Sequence, residues 1–290
     1  MTIEQFLGVV LQASGLVFVV ASMLAMGLGL TVGQIVAPLR NPVRVVSALV
    51  ANFVLVPLLA FVIVKALDLD QPLANGLIVL ATAAGAPFLP KLVQGAKGDI
   101  AFGVGLMVLL MIVTIVYMPL VLPLLLPGVS VDAWAIAQSL IVVMLIPLAI
   151  GLAAKALWPE DAAGWQPMFA KASSLAIMVL LVVGIGLNVA NILGLIGTRG
   201  LIALLVFALG SMAIGLAVGG REPAGRSVML LGTTMRNISA ALVVAAGNFA
   251  GTTTVPFILV GAILLLLITL PAAKALGRQA AARTPEVAIG

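Results

Sequence analysis

The stretch Gly232–Leu242 reads GTTMRNISAAL, so Thr233, Thr234, Arg236, Asn237 and Ser239 stand almost side by side inside an apolar run. A guanidinium presents five N–H donors in a planar fork and keeps its charge at working pH. It can therefore hold several carbonyl oxygens or grip a carboxylate with two parallel bonds. Polar residues on an amphipathic helix recur three and four apart, whereas a consecutive cluster wraps around the axis. Such a cluster suits backbone that has unwound and turns several faces to one cavity. A second stretch, Ala84–Gly95, reads AGAPFLPKLVQG. Pro87 and Pro90 lack an N–H and clash with the preceding turn, so the helix must break or kink there. The residues before them, Ala86 and Leu89, are pushed toward extended conformations. Lys91 adds a second cation beside that break.

Much other chemistry is excluded. The chain has no cysteine and no histidine, which removes thiolate nucleophiles, disulfides, the usual proton shuttle and the usual zinc ligands. Its nine acids fall in loops or near the ends of apolar runs, leaving only Lys91 and a few Ser and Thr hydroxyls for catalysis at depth. The chain reads as a non-enzyme with no cofactor and no metal site.

The elements that must position these residues are helices. The chain is 63% hydrophobic and 8% charged over 290 residues, against roughly 25% charged in soluble domains. Uncharged runs of about 20 residues recur, the mark of spanning helices rather than of a barrel. Nine runs are expected as spans, at about 6–29, 43–66, 72–95, 100–126, 133–156, 168–191, 198–219, 225–248 and 253–276, forming one all-α multi-pass membrane domain over 1–276. A short polar tail follows at 277–290. With alternating spans, Arg40, Arg44, Lys97, Lys155, Lys171, Arg221, Arg226, Lys274, Arg278 and Arg283 share one side, and Lys65 and Arg199 the other. The positive-inside rule then puts the C-terminus in the cytoplasm and the N-terminus outside, in the cell membrane. The net charge of +5 is scattered singly, without the patch that nucleic acid would need.

Breaks in two spans, one in each half of the chain, point to a secondary transporter with its site at the midplane, where half-helix N-termini carry partial positive charge toward anions. The residues also resemble a family, the bile acid:sodium symporters and their bacterial homologues, over nearly the whole chain. AMGLGLTVGQIVAPLRNPVRV (Ala25–Val45) is similar to the family's GMGLTL element, and ANFVLVP (Ala51–Pro57) to A-Q-F-x-x-M-P. AGAPFLPKLVQGAKGDIAFGVGL (Ala84–Leu106) resembles a diverged G-G-T-A-S-N-x-x-T-x-L-A-R-G-[DN]-x-A-L-S frame, and GTTMRNISAAL resembles E-V-G-M-Q-N-S-G-L-A. The resemblance implies inverted repeats with two crossing broken helices. It also implies a core of about 43–126 and 198–276, which rocks against a panel of about 6–29 and 133–191. It implies, further, a small organic anion as substrate.

The departures carry information of their own. The family's sodium-binding Ser-Asn pair falls on Leu89 and Pro90, its Glu on Gly232, its Gln on Arg236, and its Ser and Thr ligands on Gly103 and Met107. Its polar pair in the last helix falls on Leu264 and Leu265, which implies a greasier cavity suited to an amphipathic acid such as a sterol acid, a keto acid or a pantothenate-like anion. We therefore expect tethered cations, Arg236 and Lys91, in place of bound sodium. Asn52, Pro90 and Gly232 mark the vacated positions. Arg236, Asn237, Thr233, Thr234, Ser239 and Pro87 are the expected substrate contacts. Two alternatives stand beside this. Arg236 could clamp the carbonyls of the crossing helix and Lys91 could reach for headgroups; or sodium could still bind, held by backbone carbonyls. A channel or a structural subunit is the remaining class, although no ring motif supports it. Asn188 and Asn191 could line the cavity or cap the helix, Met107, Met111 and Tyr117 take lipid or packing positions, and Gly29, Gly85 and Gly105 read as close helix contacts.

Overall fold

A backbone that must satisfy its own polar groups away from water has helices as its simplest solution. The computed structural model describes residues 3–36, 40–126, 132–187, 189, 193–194 and 198–283, and among these the regular structure is helical throughout. The elements are α1 (Ile3–Gly29), α2 (Val32–Val36), α3 (Pro42–Val50), α4 (Val56–Ala66), α5 (Gln71–Thr82), α6 (Leu89–Gly95) and α7 (Ile100–Leu125). They continue with α8 (Ala133–Leu140), α9 (Ile146–Leu157), α10 (Pro159–Leu187), α11 (Arg199–Val218), α12 (Pro223–Thr234), α13 (Ile238–Asn248) and α14 (Thr254–Arg283). Single wide turns, Ala51–Leu55 and Ile141–Leu145, join α3 to α4 and α8 to α9 without interrupting either rod.

Eight segments among the described residues are long and apolar enough to cross a membrane. Their surfaces are inverted relative to a soluble bundle. Leu120, Leu124, Val182, Leu209 and Leu267 face outward, while Asn52, Thr114, Thr233, Arg236 and Asn237 are buried. This is a multi-pass membrane protein. The expected span at 72–95 is not one continuous helix, because residues 83–88 between α5 and α6 leave helical geometry. The break also starts earlier than the prolines alone require. Leu89, expected in an extended conformation because Pro90 follows it, is instead the first residue of α6. Pro90 sits in that helix's first turn, where an N–H has no intrahelical partner to lose.

Ends are set by local chemistry. Asn41, Asp99, Asp132, Thr198, Glu222 and Asn237 each accept a backbone N–H from the first turn of the helix they precede, satisfying donors that the helix cannot. Pro42 and Pro223 open α3 and α12. At the other end of the chain, α14 runs on to Arg283, into the segment expected to be a tail. Asn188 and Asn191 lie outside the described residues.

α1 packs along α9 and α10. Gly27 and Gly151 bring the α1 and α9 backbones together: a Cβ on Gly27 would strike the Leu148 carbonyl, and one on Gly151 would strike the Leu24 carbonyl. Elsewhere α5 packs against α4, α7, α13 and α14, and α12 against α6, α7, α11 and α14. The two interrupted rods, α5–α6 and α12–α13, are therefore neighbours, and their breaks meet.

Candidate functional site

The first break begins where α5 ends at Thr82, with Ala83 at φ −89, ψ 87. The second occupies only Met235–Asn237, with Met235 at ψ 125 and Asn237 at ψ 85. They are joined backbone to backbone, because the Asn237 N–H donates to the Ala83 carbonyl at 2.8 Å. Each break thus supplies a partner that the other's unwinding has left without one.

Arg236 fills the space between them and is completely buried. Its Nε donates to the Leu80 carbonyl at 3.1 Å and Nη2 to the Ala81 carbonyl at 2.7 Å. Its Nη1 donates to Asn52 Oδ1 at 2.8 Å and to the Thr233 carbonyl at 3.3 Å. Leu80 and Ala81 lie in the last turn of α5, and Thr233 in the last turn of α12. These are the carbonyls that helix ends leave free, and they carry the negative pole of each helix dipole. A cation can sit here without a carboxylate because two helix C-termini converge on it. The ion pairs among the described residues are elsewhere, Arg44–Glu222 at 2.8 Å and Arg199–Asp68 at 3.7 Å, both between exposed groups.

Asn52 is brought in by the wide turn. Its amide nitrogen donates to the Ala48 carbonyl at 3.0 Å, which leaves Oδ1 to accept from Arg236; the reverse orientation would set donor against donor. The same turn precedes Pro57, which has no N–H to give the carbonyl four residues back, that of Phe53. The Tyr117 hydroxyl donates to that carbonyl at 2.7 Å. Tyr117, expected at a lipid or packing position, is thus a hydrogen-bonding partner of the wide turn.

Thr114 locks the first break from the other side. Its hydroxyl accepts from the Ala84 N–H at 3.0 Å and donates to the Ala84 carbonyl at 3.1 Å. Gly85 follows at φ +80, pressed so closely on α7 that a Cβ would strike the Met111 backbone N and the Met107 carbonyl. A left-handed conformation and a backbone-to-backbone contact both demand glycine.

The N-terminus of α13 points a different set of donors into the interior. Asn237 Oδ1 caps Ala240, but among the described residues its Nδ2 has no partner, and neither has the hydroxyl of Ser239; both residues are fully buried. Buried polar atoms without partners are rare and call for an explanation. Thr233 is brought against Asn52, whose Nδ2 lies 3.5 Å from the threonine hydroxyl, whereas Thr234 turns its hydroxyl back onto the Leu230 carbonyl at 2.7 Å. Pro87 and Pro90 are half-buried at the break. Lys91 is not drawn into the cluster. It is exposed, with Nζ 5.8 Å from the centre of its neighbour Phe88's ring, because α6 turns that face outward and a lone ammonium is far better solvated there. Gly232 is buried against hydrocarbon: a Cβ there would sit 3.1 Å from Leu89 Cδ2 and 3.5 Å from Leu106 Cδ2.

Sequence comparison agrees with this architecture. Residues 16–195 match the profile of the Sodium Bile acid symporter family. The chain belongs to that family. That family is one of membrane transporters rather than of enzymes. Among similar proteins, a probable chloroplastic sodium/metabolite cotransporter of Oryza sativa subsp. japonica, BASS2, is 31% identical over 140 residues, 48% of this chain and 33% of that protein. A probable chloroplastic sodium/metabolite cotransporter of Arabidopsis thaliana, BASS3, is 27% identical over 136 residues, 45% of this chain and 30% of its own. The matches take in about a third of each relative's length.

Thr114 and Tyr117 were legible only as two polar residues three apart in an apolar run, hence on one helix face. Carbonyls of the crossing helix were an expected alternative partner for Arg236, but nothing in the sequence singled out those of Leu80 and Ala81.

Proposed function

We propose that this chain is a secondary transporter that moves an organic anion by alternating access, with the Arg236 guanidinium standing where other members of the family hold sodium. The observation that carries the reading is the set of bonds from Arg236 to Leu80, Ala81, Asn52 and Thr233. Half-helix C-termini and unwound carbonyls are the groups by which transporters of this general design coordinate a cation, and here they already have one, covalently attached. The second vacated position supports the same reading: Gly232 lies against Leu89 and Leu106, so hydrocarbon occupies the place of a charged ligand. Sodium requires several oxygen donors, and Leu89, Leu106 and Met107 supply none.

In this reading Arg236 is a clamp and the substrate contacts lie across the break from it. Asn237 Nδ2 and Ser239 Oγ are free to donate at the positive end of α13, and a carboxylate is the acceptor that suits them. The substrate is then an amphipathic organic acid of the bile-acid, keto-acid or pantothenate-like class. Lys91 plays no part in replacing an ion. The proposal keeps nine spanning segments, counting α5–α6 as one interrupted span, arranged as two inverted repeats. A core of about 43–126 and 198–276 moves against a panel of about 6–29 and 133–191. It also keeps the C-terminus in the cytoplasm, the N-terminus outside and the cell membrane as the location, all on the charge segregation.

A second reading has one observation in its favour, the names of the two plant relatives, which describe sodium/metabolite cotransporters. Sodium would then be held by backbone carbonyls alone. Thermal stabilisation of the purified protein by a panel of organic acids, in sodium and in potassium buffer, separates the two. Equal stabilisation is expected in both; stabilisation confined to sodium would replace the first reading with the second.

A further inference from the structure

A cavity of about 450 Å³ lies away from the crossing, at the end of the molecule where α12 begins and α14 nears its end. Its charged lining comprises Lys97 after α6, Arg221 before α12, Arg226 in the first turns of α12, and one acid, Glu222. That acid is already engaged: Glu222 Oε2 accepts from Arg44 at 2.8 Å and from the Gly225 N–H at 3.1 Å. Lys97, Arg221 and Arg226 have no ion pair among the described residues. Three cations, one after α6 and two at the start of α12, therefore face one concavity, and the one acid in its lining is already paired with Arg44. Like charges gathered so closely repel one another, and the arrangement is relieved when an anion enters. The rest of the lining includes Leu216, Leu230 and Leu276, so the cavity joins a basic rim to an apolar wall.

We infer that this cavity is a binding site for a phosphate-bearing anion, the group presented by an acidic phospholipid headgroup or by free phosphate. Basic pockets between spanning helices are where such headgroups are held, and phosphate matches the forked donors of two arginines. The site has structural leverage. α6 and α12 both run from this cavity to the two breaks, and α6 is held tightly on α14, since a Cβ on Gly277 would strike the Gly95 carbonyl. An anion bridging Lys97 and Arg226 ties together the outer ends of two half-helices whose inner parts meet where Leu89 lies against Gly232. This inference does not rest on the identity or coupling of any transported substrate.

The test is a thermal-shift titration of the detergent-purified full chain with phosphatidylglycerol, with phosphatidylcholine and with inorganic phosphate at constant ionic strength. Phosphatidylglycerol is expected to stabilise the protein and phosphatidylcholine to have no effect. A matching shift from inorganic phosphate would identify a free anion as sufficient, and its absence would identify a headgroup held with its lipid. Each cation removed should raise the half-saturating concentration about fivefold, from roughly 1 kcal/mol per basic residue. Lys97→Asn is the safest variant, because Lys97 sits at φ +51, a conformation that asparagine adopts more readily. Arg221→Gln with Arg226→Gln should raise it on the order of 25-fold. If the double variant does not fold, Lys97→Asn alone decides. Lys65→Gln, at an exposed lysine beside Phe61 that does not line the cavity, should change nothing. Equal stabilisation by phosphatidylcholine, no shift with either anion, an unchanged titration in Lys97→Asn, or the same loss in Lys65→Gln would each overturn the assignment.

Discussion

If Arg236 stands in for an ion, removing its charge should create a demand for one. Arg236→Gln is the sharpest perturbation, because glutamine keeps two N–H donors but no charge. Arg236 serves four acceptors, Leu80 O, Ala81 O, Asn52 Oδ1 and Thr233 O, so at least two are left unserved. Each hydrogen bond to a charged group is worth about 1.5–3 kcal/mol, which sets the gross loss at roughly 3–6 kcal/mol. The desolvation penalty of a buried guanidinium, several kcal/mol after relaxation, vanishes at the same time. The net loss is then about 2 kcal/mol, small enough for the variant to fold. The exposed carbonyls become a cation site. Sodium at a hundred times its dissociation constant should restore about 2.7 kcal/mol, a rise in melting temperature on the order of 5 °C. The assay is a melting curve of each purified protein in sodium chloride and in potassium chloride. The wild type should melt at the same temperature in both, and Arg236→Gln higher in sodium. A sodium-dependent shift in the wild type, or a Gln variant as stable as the wild type and indifferent to sodium, would refute the reasoning.

Further substitutions divide the roles around the crossing. Thr114→Val keeps the shape but leaves the Ala84 N–H and carbonyl without their partner; a loss of about 2–6 kcal/mol is expected in the melting transition, at 1–3 kcal/mol per stranded group. Gly85→Ala, at φ +80 and against the α7 backbone, should cost about 3 kcal/mol or more and show as loss of monodisperse protein on size exclusion. Ser239→Ala removes a hydroxyl that has no partner among the described residues, so stability should change by less than about 0.5 kcal/mol, while half-saturation by the stabilising acid rises roughly tenfold. Lys91→Gln, at an exposed position, should alter neither the melting temperature in either salt nor acid binding.

What could be read from the sequence was what side chains announce. Pro87, Pro90 and the consecutive polar run around Arg236 marked both breaks, because each violates the pattern of a lipid-facing helix. A clamp of Arg236 on carbonyls of the crossing helix was readable as one alternative, but which carbonyls was not, since a carbonyl belongs to every residue alike. Leu80 and Ala81 lie in the run LIVLAT, which looks like ordinary core; only the ending of α5 at Thr82 frees their oxygens. Where Lys91 would lie was not readable for a different reason. Its proximity in sequence to a break says nothing about which way a seven-residue helix turns its faces, and α6 turns that one outward. Thr114 and Tyr117 stood in plain view as the two polar residues of IVTIVYM, but their targets, Ala84 and the carbonyl stranded by Pro57, required the three-dimensional arrangement.

A tethered cation differs from a bound one in a way that bears on energy coupling. A sodium ion that occupies such carbonyls can leave with the substrate, and the free energy of its gradient then enters the transport cycle through the difference in its binding between states. Arg236 cannot leave. Its bonds to α5, α12 and Asn52 involve no soluble ligand, so a substrate held at Asn237 and Ser239 would bind with an affinity indifferent to external sodium. On the proposed reading, the same substitution that removes the requirement for sodium also removes the drive from it. The carrier can then equilibrate its substrate or exchange one anion for another, but the sodium gradient cannot drive accumulation of either. Counterflow in sealed vesicles tests that consequence directly. Preloading with unlabelled acid should accelerate uptake of the labelled acid in sodium-free buffer, and an imposed sodium gradient should add nothing. Accumulation driven by sodium alone would show that an ion site survives beside the arginine.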